Sequence, residues 1–345
     1  MNNTKLFFAN DYSRGAHPNI IKRLVETNME QSAGYGTDTF SQAARESIRQ
    51  ACGCDTAQVE FLVGGTQTNA TMIDAFLKSY QGVIAATTGH ISTHEAGAIE
   101  ANGHKILTLP HQHGKISPQD LRNYLEDFYN DSTHTHMVMP GMVYISQPTE
   151  YGTLYTKQEL QQIRAICHQY QLPLYVDGAR LAYALASPAN DVTLKDLAEL
   201  CDAFYIGGTK CGALFGEAVV IPAPNKIPHL FTMIKQHGAL MAKGRLLGIQ
   251  FGELFKDNLY LQIGKIAIEC ADKLRKALQD KGYTFYFQTP TNQIFCILNN
   301  EKLKELEQKV AFSFWEKYDD QHTVIRLATD WATTMKEVDA LIAVL

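Results

Sequence analysis

Two segments of the chain place charged side chains at the ends of apolar runs, next to or within a few residues of glycine. The first, LPLYVDGAR at 172–180, presents Asp177 and Arg180, and the second, AFYIGGTK at 203–210, presents Lys210. An apolar run followed by glycine is typical of a buried strand that ends in a loop. Ligands bind at the carboxyl ends of the strands in a parallel sheet, so the pattern predicts that these three side chains converge on one crevice.

A lysine, a carboxylate and an arginine at one crevice suit pyridoxal 5'-phosphate. Lys210 can form a Schiff base with the cofactor aldehyde, Asp177 can keep the pyridine nitrogen protonated, and Arg180 can bind a substrate carboxylate. Each residue also has an ordinary interpretation, Lys210 as a solvent-exposed loop residue and Asp177 as a turn residue or a metal ligand. A metal site would need further carboxylates or histidines at neighbouring strand ends, so we expect no metal.

A candidate phosphate site is the segment GGTQTN at 64–69, which contains Gly65 and Thr66. It follows an apolar run and opens a helical pattern, and the free amides at a helix N-terminus attract a phosphate dianion. An ordinary capped helix start explains the same residues equally well. The segment lacks the Gly-Lys-Ser/Thr sequence of a Walker loop. It also lacks the Gly-x-Gly-x-x-Gly spacing of a dinucleotide-binding motif.

Several histidines lie in loop segments, and one follows an apolar run directly. His90 could stack on a pyridine ring and handle protons near neutral pH, although a loop histidine without a role is the usual outcome. His111 with His113, and His134 with His136, are spaced like metal ligands but lie in polar segments without a third ligand. We interpret both pairs as solvated loop residues.

The elements that position these residues follow an alternating pattern. Helical periodicity alternates with apolar runs from about residue 18 to 250, which predicts an α/β fold with a mostly parallel seven-stranded sheet and helices on both faces. Thr156 is the predicted N-cap of one crossover helix. The candidate strands of this sheet are Val59–Val63, Gly82–Ala86, Lys105–Leu109, Met142–Ser146, Leu172–Val176, Ala203–Ile206 and Ala218–Ile221.

The pattern changes near Phe251. A long helical stretch is followed by candidate strands at 283–287, 293–298 and 324–328 and by a final helix from about Met335. This order predicts a smaller C-terminal α+β domain. We therefore divide the chain into an N-terminal segment at 1–17, a large domain at 18–250 and a small domain at 251–345.

Composition excludes several classes of partner. The 345 residues carry a net charge of −5, with 31 basic and 36 acidic residues that are scattered along the chain, so nucleic acid is not an expected partner. No apolar run is long enough to span a membrane, and the N-terminal apolar patch is too short for a signal sequence. Seven irregularly spaced cysteines indicate reduced thiols rather than a disulfide framework. We expect a cytoplasmic protein.

The order and spacing of these motifs resemble the threonine aldolase and β-eliminating lyase family of fold-type I pyridoxal phosphate enzymes. The resemblance extends from Asn10 to Arg326 and implies a large domain like that of aspartate aminotransferase. It implies the Schiff base for Lys210 and the pyridine nitrogen partner for Asp177. It also implies phosphate binding by Gly65 and Thr66, ring stacking by His90, and substrate carboxylate binding by Arg180 and Arg326, with Asn10 where the family usually has serine.

The resemblance also implies a homodimer or homotetramer with shared active sites. In the family a basic residue of the neighbouring subunit reaches the phosphate, and Lys243 is the nearest match, with Arg245 as an alternative. The chain departs from the family pattern at Glu150, which stands where bacterial members commonly have a histidine that contacts the substrate hydroxyl. It departs again around the lysine, where Thr209 precedes Lys210 and Cys211 follows it.

These features lead to one main hypothesis and two alternatives. The main hypothesis is cleavage of a β-hydroxy-α-amino acid, threonine or a relative, to glycine and an aldehyde, with His90, Glu150 or a held water as the base. The first alternative keeps the cofactor and replaces the aldol cleavage by β-elimination or transamination. The second is a non-catalytic pyridoxal phosphate protein, with the cofactor on Lys210, or a plain binding module on this fold.

Overall fold

The computed structural model describes residues 5–345, which form three sheets and the helices around them. The strands are β1 (Leu6–Phe7), β2 (Gln58–Leu62), β3 (Gln81–Ala86), β4 (Ile106–Leu109), β5 (Met139–Ser146), β6 (Leu174–Asp177), β7 (Ala203–Gly207), β8 (Glu217–Ile221), β9 (Thr284–Phe287), β10 (Gln293–Asn299), β11 (Val310–Ala311), β12 (Ser313–Lys317) and β13 (His322–Ala328).

Helices connect most of these strands and also fill the segments between the sheets. They are α1 (Pro18–Glu26), α2 (Thr39–Cys52), α3 (Gly65–Phe76), α4 (His90–Thr93), α5 (Ala98–Ala101), α6 (Pro118–Asn130), α7 (Lys157–Gln169), α8 (Leu181–Ala186), α9 (Leu194–Leu200), α10 (Leu230–Gln236), α11 (Arg245–Phe255), α12 (Leu259–Asp280), α13 (Asn300–Glu307) and α14 (Met335–Val344).

The main sheet has seven strands in the order β2-β8-β7-β6-β5-β3-β4. Strand β8 is antiparallel to its neighbours β2 and β7, and the other adjacent strands pair in parallel. The predicted mostly parallel seven-stranded α/β sheet is therefore confirmed. All seven predicted strands are present, with ends that differ by a few residues from the predicted ones.

Burial on both faces explains why the strands of this sheet are such continuous apolar runs. Every residue of β6, β7 and β8 is buried. Along β7, Phe204 and Ile206 pack into the core on one face of the sheet, and Ala203 and Tyr205 pack into the core on the other face. This alternation follows from the two-residue period of a strand.

Helix caps fix where several crossover helices begin. Thr156 caps α7, as predicted, and forms a capping box with Glu159. Asp38 caps α2 by accepting from the backbone N–H of Ser41. Helix α3 differs, because its N-cap is Gly64 and no side chain bonds its first turn.

The C-terminal part is an antiparallel sheet in the order β12-β13-β10-β9. The predicted strands β9, β10 and β13 and the last helix are confirmed, whereas β1, β11 and β12 were not predicted. Helix α12 links the two parts, since it packs on α8 and on α14. The predicted domain division at residue 250 falls inside α11 and remains a prediction.

Candidate active site

The carboxyl ends of five parallel strands bring their following residues together around an inner cavity of about 250 Å³. Each strand supplies a predicted site residue, because parallel strands end at one edge of the sheet. The predicted residues that line this cavity are Gly65 and Thr66 after β2, His90 after β3, Glu150 after β5, Asp177 as the last residue of β6, Arg180 after β6, and Lys210 after β7.

Asp177 is a buried carboxylate whose hydrogen-bond donors are uncharged. It accepts from Tyr144 OH at 2.7 Å, from Asn69 Nδ2 at 3.0 Å and from the Ala179 backbone N–H at 2.9 Å. Burial alone would raise its pKa, but the charge of His90 and these hydrogen bonds lower it below its usual value. The carboxylate therefore stays ionised and faces the cavity without a cationic side chain bonded to it.

Lys210 is partly buried and lines the same cavity. Burial and the charge of Arg180 lower the pKa of its amine, while Asp11, Asp177 and Glu217 act in the opposite direction. A lowered pKa increases the fraction of neutral amine, which is the nucleophilic form.

The free amides of α3 lie at another part of the cavity wall. Gly64 is extended, and the helix starts at Gly65 without a side-chain cap, so its first amides remain available to an anion. A Cβ added at Gly65 would lie 3.3 Å from Tyr205 OH, so glycine keeps this end of the cavity open. The geometry fits the predicted phosphate position.

His90 starts α4 and lines both the inner cavity and an adjoining outer cavity. Its Nδ1 lies 2.7 Å from Oε1 of Glu95, a buried carboxylate that also accepts from Asn69 at 2.7 Å. The contact fixes the orientation of the ring and leaves Nε2 free. Sequence reasoning missed Glu95.

Glu150 also lines both cavities. Its Oε1 accepts from the His90 backbone N–H at 2.9 Å and from Ser146 Oγ at 2.7 Å, and no hydrogen bond to its Oε2 is found within residues 5–345. Burial raises the pKa of its carboxyl group above the usual value. A carboxyl group with a raised pKa is suited to accept a proton near neutral pH.

Arg180 forms a buried bidentate ion pair with Asp11, a residue that sequence reasoning did not select. Its Nε lies 2.6 Å from Oδ2 of Asp11, and its Nη2 lies 3.0 Å from Oδ1. Burial alone would raise the pKa of Asp11, but the charges of Arg180, Lys210 and Arg326 lower it to about 2. One edge of the Arg180 guanidinium is therefore occupied by the protein.

Arg326 lies in the outer cavity of about 520 Å³. Its Nη1 donates to Gln293 at 3.0 Å and its Nη2 to Ala9 O and Ser313 Oγ at 3.2 Å each. Its Nε is buried and has no hydrogen-bond partner in the described chain. Burial and the charge of Arg180 lower its pKa to about 10, so it remains cationic and available to an anion.

Two predicted site residues line neither cavity. Asn10 uses its Oδ1 to accept from the Tyr12 N–H at 3.1 Å and from Ser13 Oγ at 2.7 Å, and Tyr12 lines the cavities in its place. Lys243 is exposed to solvent in the single chain. The predicted roles of Asn10 and Lys243 remain predictions.

The alternative to Lys243 is more constrained. Arg245 donates to the carbonyl oxygens of Thr27 and Glu30, and its guanidinium lies 4.8 Å from the centre of the Phe40 ring. These contacts tie Arg245 to its own chain. Lys243 is therefore the better candidate to reach another subunit.

The remaining residues that sequence reasoning missed come from distant parts of the chain. Glu217 begins β8 and lines the inner cavity, and β12 contributes Phe314, Trp315 and Glu316 to the outer one. The sequence feature that could have identified Glu217 as a site residue is its position as a charged residue at the start of an apolar run. His94 also lines the outer cavity, one helical turn after His90.

The residues present fit pyridoxal 5'-phosphate. The cavity joins a partly buried amine, an ionised carboxylate whose donors within residues 5–345 are neutral, and the free amides at a helix start. No cluster of three or more metal-ligating side chains occurs among residues 5–345. Across the same residues, no helix is both long and apolar enough to cross a membrane.

Comparison with known proteins places the chain in a family. The sequence profile of the beta-eliminating lyase family matches residues 8–301. The low specificity L-threonine aldolase of Pseudomonas aeruginosa is 31% identical over 309 residues, covering 88% of this chain and 87% of that protein. The solved threonine aldolase of Leishmania major is 46% identical, with a TM-score of 0.95 and 98% of both chains covered.

More distant structures share the fold. An aromatic aminotransferase from Pyrococcus horikoshii superposes with a TM-score of 0.72 at 16% identity, over 99% of this chain and 94% of that one. This likeness confirms the aminotransferase-like architecture of the large sheet and says nothing of the substrate. The profile match and the aldolase relatives together show that the chain belongs to the threonine aldolase and β-eliminating lyase family.

Proposed function

We propose that the chain is a pyridoxal phosphate-dependent aldolase that cleaves threonine or a similar β-hydroxy-α-amino acid to glycine and an aldehyde. The observation that carries the proposal is that the partly buried Lys210 amine and the ionised Asp177 carboxylate line one cavity. The names of the relatives from Pseudomonas aeruginosa and Leishmania major support the choice of substrate.

The cofactor site would be built from three parts of the chain. Lys210 would hold the cofactor covalently, Asp177 its pyridine nitrogen, and Gly65 with Thr66 its phosphate, while His90 would cover the ring. When bound, the cofactor supplies an electron sink for the bond that breaks at the α-carbon. Asp177 supports this chemistry because its low pKa keeps a negative charge beside the nitrogen.

Two arginines would orient the substrate. Arg326, which lines the outer cavity, and the Nη1 of Arg180 would bind the α-carboxylate, since Asp11 occupies the other edge of Arg180. Fixing the carboxylate selects which bond of the α-carbon is aligned for cleavage. We expect Arg326 to contribute more of this binding than Arg180.

Glu150 is the best-supported base for the β-hydroxyl proton. It lines both cavities, one of its oxygens is anchored by Ser146 and the His90 N–H, and its other oxygen makes no hydrogen bond within the described residues. Its raised pKa makes it a stronger base than an ordinary carboxylate. His90 would then serve mainly to cover the ring, because Glu95 fixes its orientation.

We also propose a homodimer or homotetramer in which Lys243 of one subunit reaches the phosphate of another, and a cytoplasmic location. The solvent-exposed Lys243 side chain supports the first proposal. The seven cysteines are all free, which is common in proteins of reducing compartments and supports the second.

The test is a product assay on a panel of β-hydroxy-α-amino acids with the cofactor-loaded protein. We expect equal amounts of glycine and aldehyde, and we expect Lys210→Ala to lose both the visible absorbance of the bound cofactor and turnover. Ammonia and a keto acid as the main products would instead indicate β-elimination. Cofactor binding without any turnover in the wild-type protein would contradict the proposal.

A further inference from the structure

Glu217 is a buried carboxyl group that the proposed reaction leaves without a role. It begins β8, the antiparallel strand, so it lies at the edge of the sheet where the parallel strands end. The residue is 2% exposed and lines the inner cavity together with Lys210 and Asp177. Burying a carboxyl group is unfavourable unless its oxygens are hydrogen-bonded, so its contacts indicate what it does.

Both oxygens of Glu217 bind the residues that come directly before Lys210. Oε2 accepts from the Gly208 backbone N–H at 3.0 Å, and Oε1 accepts from Thr209 Oγ1 at 2.7 Å. The Thr209 hydroxyl in turn accepts from the Gly216 N–H at 3.0 Å. The backbone N–H groups of Gly208 and Thr209 both donate to Gly216 O as well, at 3.0 and 3.1 Å. The loop that carries the lysine is therefore fixed to the start of β8.

The ionisation of Glu217 is linked to that of Lys210. Burial raises the pKa of Glu217 to about 8, although its hydrogen bonds and the charge of Lys210 oppose this. A negative charge on Glu217 raises the pKa of Lys210 in return. The other charged groups that shift the pKa of one or both of them are Asp11, Asp177 and Arg180. The charge of Glu217 raises the pKa of four neighbouring groups, and that of Lys210 lowers the pKa of His94; the four groups are Tyr175, Tyr205, Cys211 and Tyr260.

We propose that Glu217 is a positioning residue for Lys210, which holds the backbone at Gly208 and Thr209 and compensates the positive charge of the amine when the lysine is free of the cofactor. The inference rests on the proposed cofactor-binding role of Lys210. A glutamine could offer only one acceptor oxygen and no charge. Glutamate supplies an acceptor for each of the two donors and also the charge.

The test follows the titration of the Lys210 amine in the full-length protein, with and without added pyridoxal phosphate. Its rate of modification by an acylating reagent is measured by mass spectrometry as a function of pH. We expect Glu217→Gln to lower the pH midpoint measurably, because the negative charge that raises the pKa of Lys210 is lost. Glu217→Asp should keep the midpoint, because the carboxylate is retained.

A matched variant separates charge from hydrogen bonding. Thr209→Val removes one donor to Glu217 and keeps the carboxyl group, so we expect slower cofactor attachment. Because the Thr209 hydroxyl lowers the pKa of Glu217, we also expect the amine midpoint to fall, but less than in Glu217→Gln. A folded Glu217→Gln protein with the wild-type midpoint would overturn the charge role. If Glu217→Gln does not fold, the positioning role is tested with Glu217→Asp, whose shorter side chain should disturb the contacts to Gly208 and Thr209. A wild-type rate of cofactor attachment in Glu217→Asp would overturn the positioning role.

Failure of the proposed function would give a different result. Added pyridoxal phosphate would then leave Lys210 of the wild-type protein unprotected against acylation. The midpoints of the wild-type and variant amines could still be compared in the protein without cofactor, so the two outcomes remain distinguishable.

Discussion

At the scale of single residues, Glu150 determines how the reaction rate is expected to depend on pH. The proposed reaction needs its carboxylate, and its pKa is raised by burial, so the protonated, inactive form accumulates as the pH falls through that raised pKa. The rate of the wild-type enzyme should therefore decline on the acid side of its profile. We expect this fall in rate at low pH even where the substrate keeps its protonation state, because the group that is protonated is part of the enzyme.

Replacing the base should remove that limb. We expect Glu150→Gln to lower kcat by roughly 10²–10⁴-fold and to flatten the acid side of the profile, while the absorbance of the bound cofactor is kept. The measurement is kcat against pH for the wild type and the variant. Glu316→Gln is the control, because Glu316 lines only the outer cavity and should leave the limb in place. An unchanged limb in Glu150→Gln would assign the proton to another group.

Some residues of the site could be predicted from the sequence, and others could not. Asp177 directly follows an apolar run and precedes a glycine, and Lys210 follows an apolar run and two glycines, so their type and spacing predict their position. Asp11 gives no such signal, because its partner Arg180 is 169 positions away in the chain. Glu95 and Glu217 likewise become site residues only through contacts made on folding.

At the scale of elements, the central strands were predictable and β12 was not. A strand buried on both faces reads as a continuous apolar run, whereas β12 has the sequence SFWEK, in which no residue is fully buried. Its mixture of aromatic, charged and polar residues gives neither a clear alternation nor an apolar run. The outer cavity depends on this strand, so its shape could not be derived from the sequence.

Strand β12 should control which substrate side chains are accepted. Trp315 lines the outer cavity, and its ring packs against Phe295 at 4.8 Å and Tyr151 at 5.2 Å, with the Arg326 guanidinium 5.6 Å from its centre. We expect Trp315→Ala to raise KM about tenfold for β-hydroxy amino acids with an aromatic side chain and less for threonine, because an aromatic contact is lost.

The measurement is kcat and KM for a small and an aromatic substrate in each variant. Trp315→Phe keeps a ring beside Arg326 and should behave much like the wild type. Tyr318→Ala, just beyond the same strand and outside both cavities, is the second control. Equal changes in KM for the two substrates would show that Trp315 supports Arg326 rather than selecting the side chain.

At the scale of the whole molecule, the predicted sharing of sites between subunits can be tested by mixing two inactive proteins. Lys210→Ala lacks the catalytic amine, and Lys243→Ala lacks the residue proposed to reach the neighbouring phosphate. A mixed dimer would contain one intact site, so random pairing should restore about one quarter of the wild-type activity. The measurement is aldehyde release after the two proteins are unfolded together and refolded.

Arg245→Ala provides the control for that experiment. Arg245 is bound to carbonyl oxygens of its own chain, so any loss in this variant should not be restored by mixing with Lys210→Ala. A fully active monomer, or mixtures that recover nothing, would show that Lys243 does not serve another subunit.

Asp11 connects its own segment with those of Arg180 and Asn292, which are far from it and from each other in the sequence. It lies near the start of the chain, its carboxylate binds Arg180 beside the main sheet, and the same carboxylate accepts from Asn292 Nδ2 at 3.0 Å beside the C-terminal sheet. Separation of the two sheets would have to break this junction. A change at Asp11 would therefore weaken the contact between the two parts of the chain and release the Arg180 guanidinium at the same time, so we expect stability and substrate binding to change together.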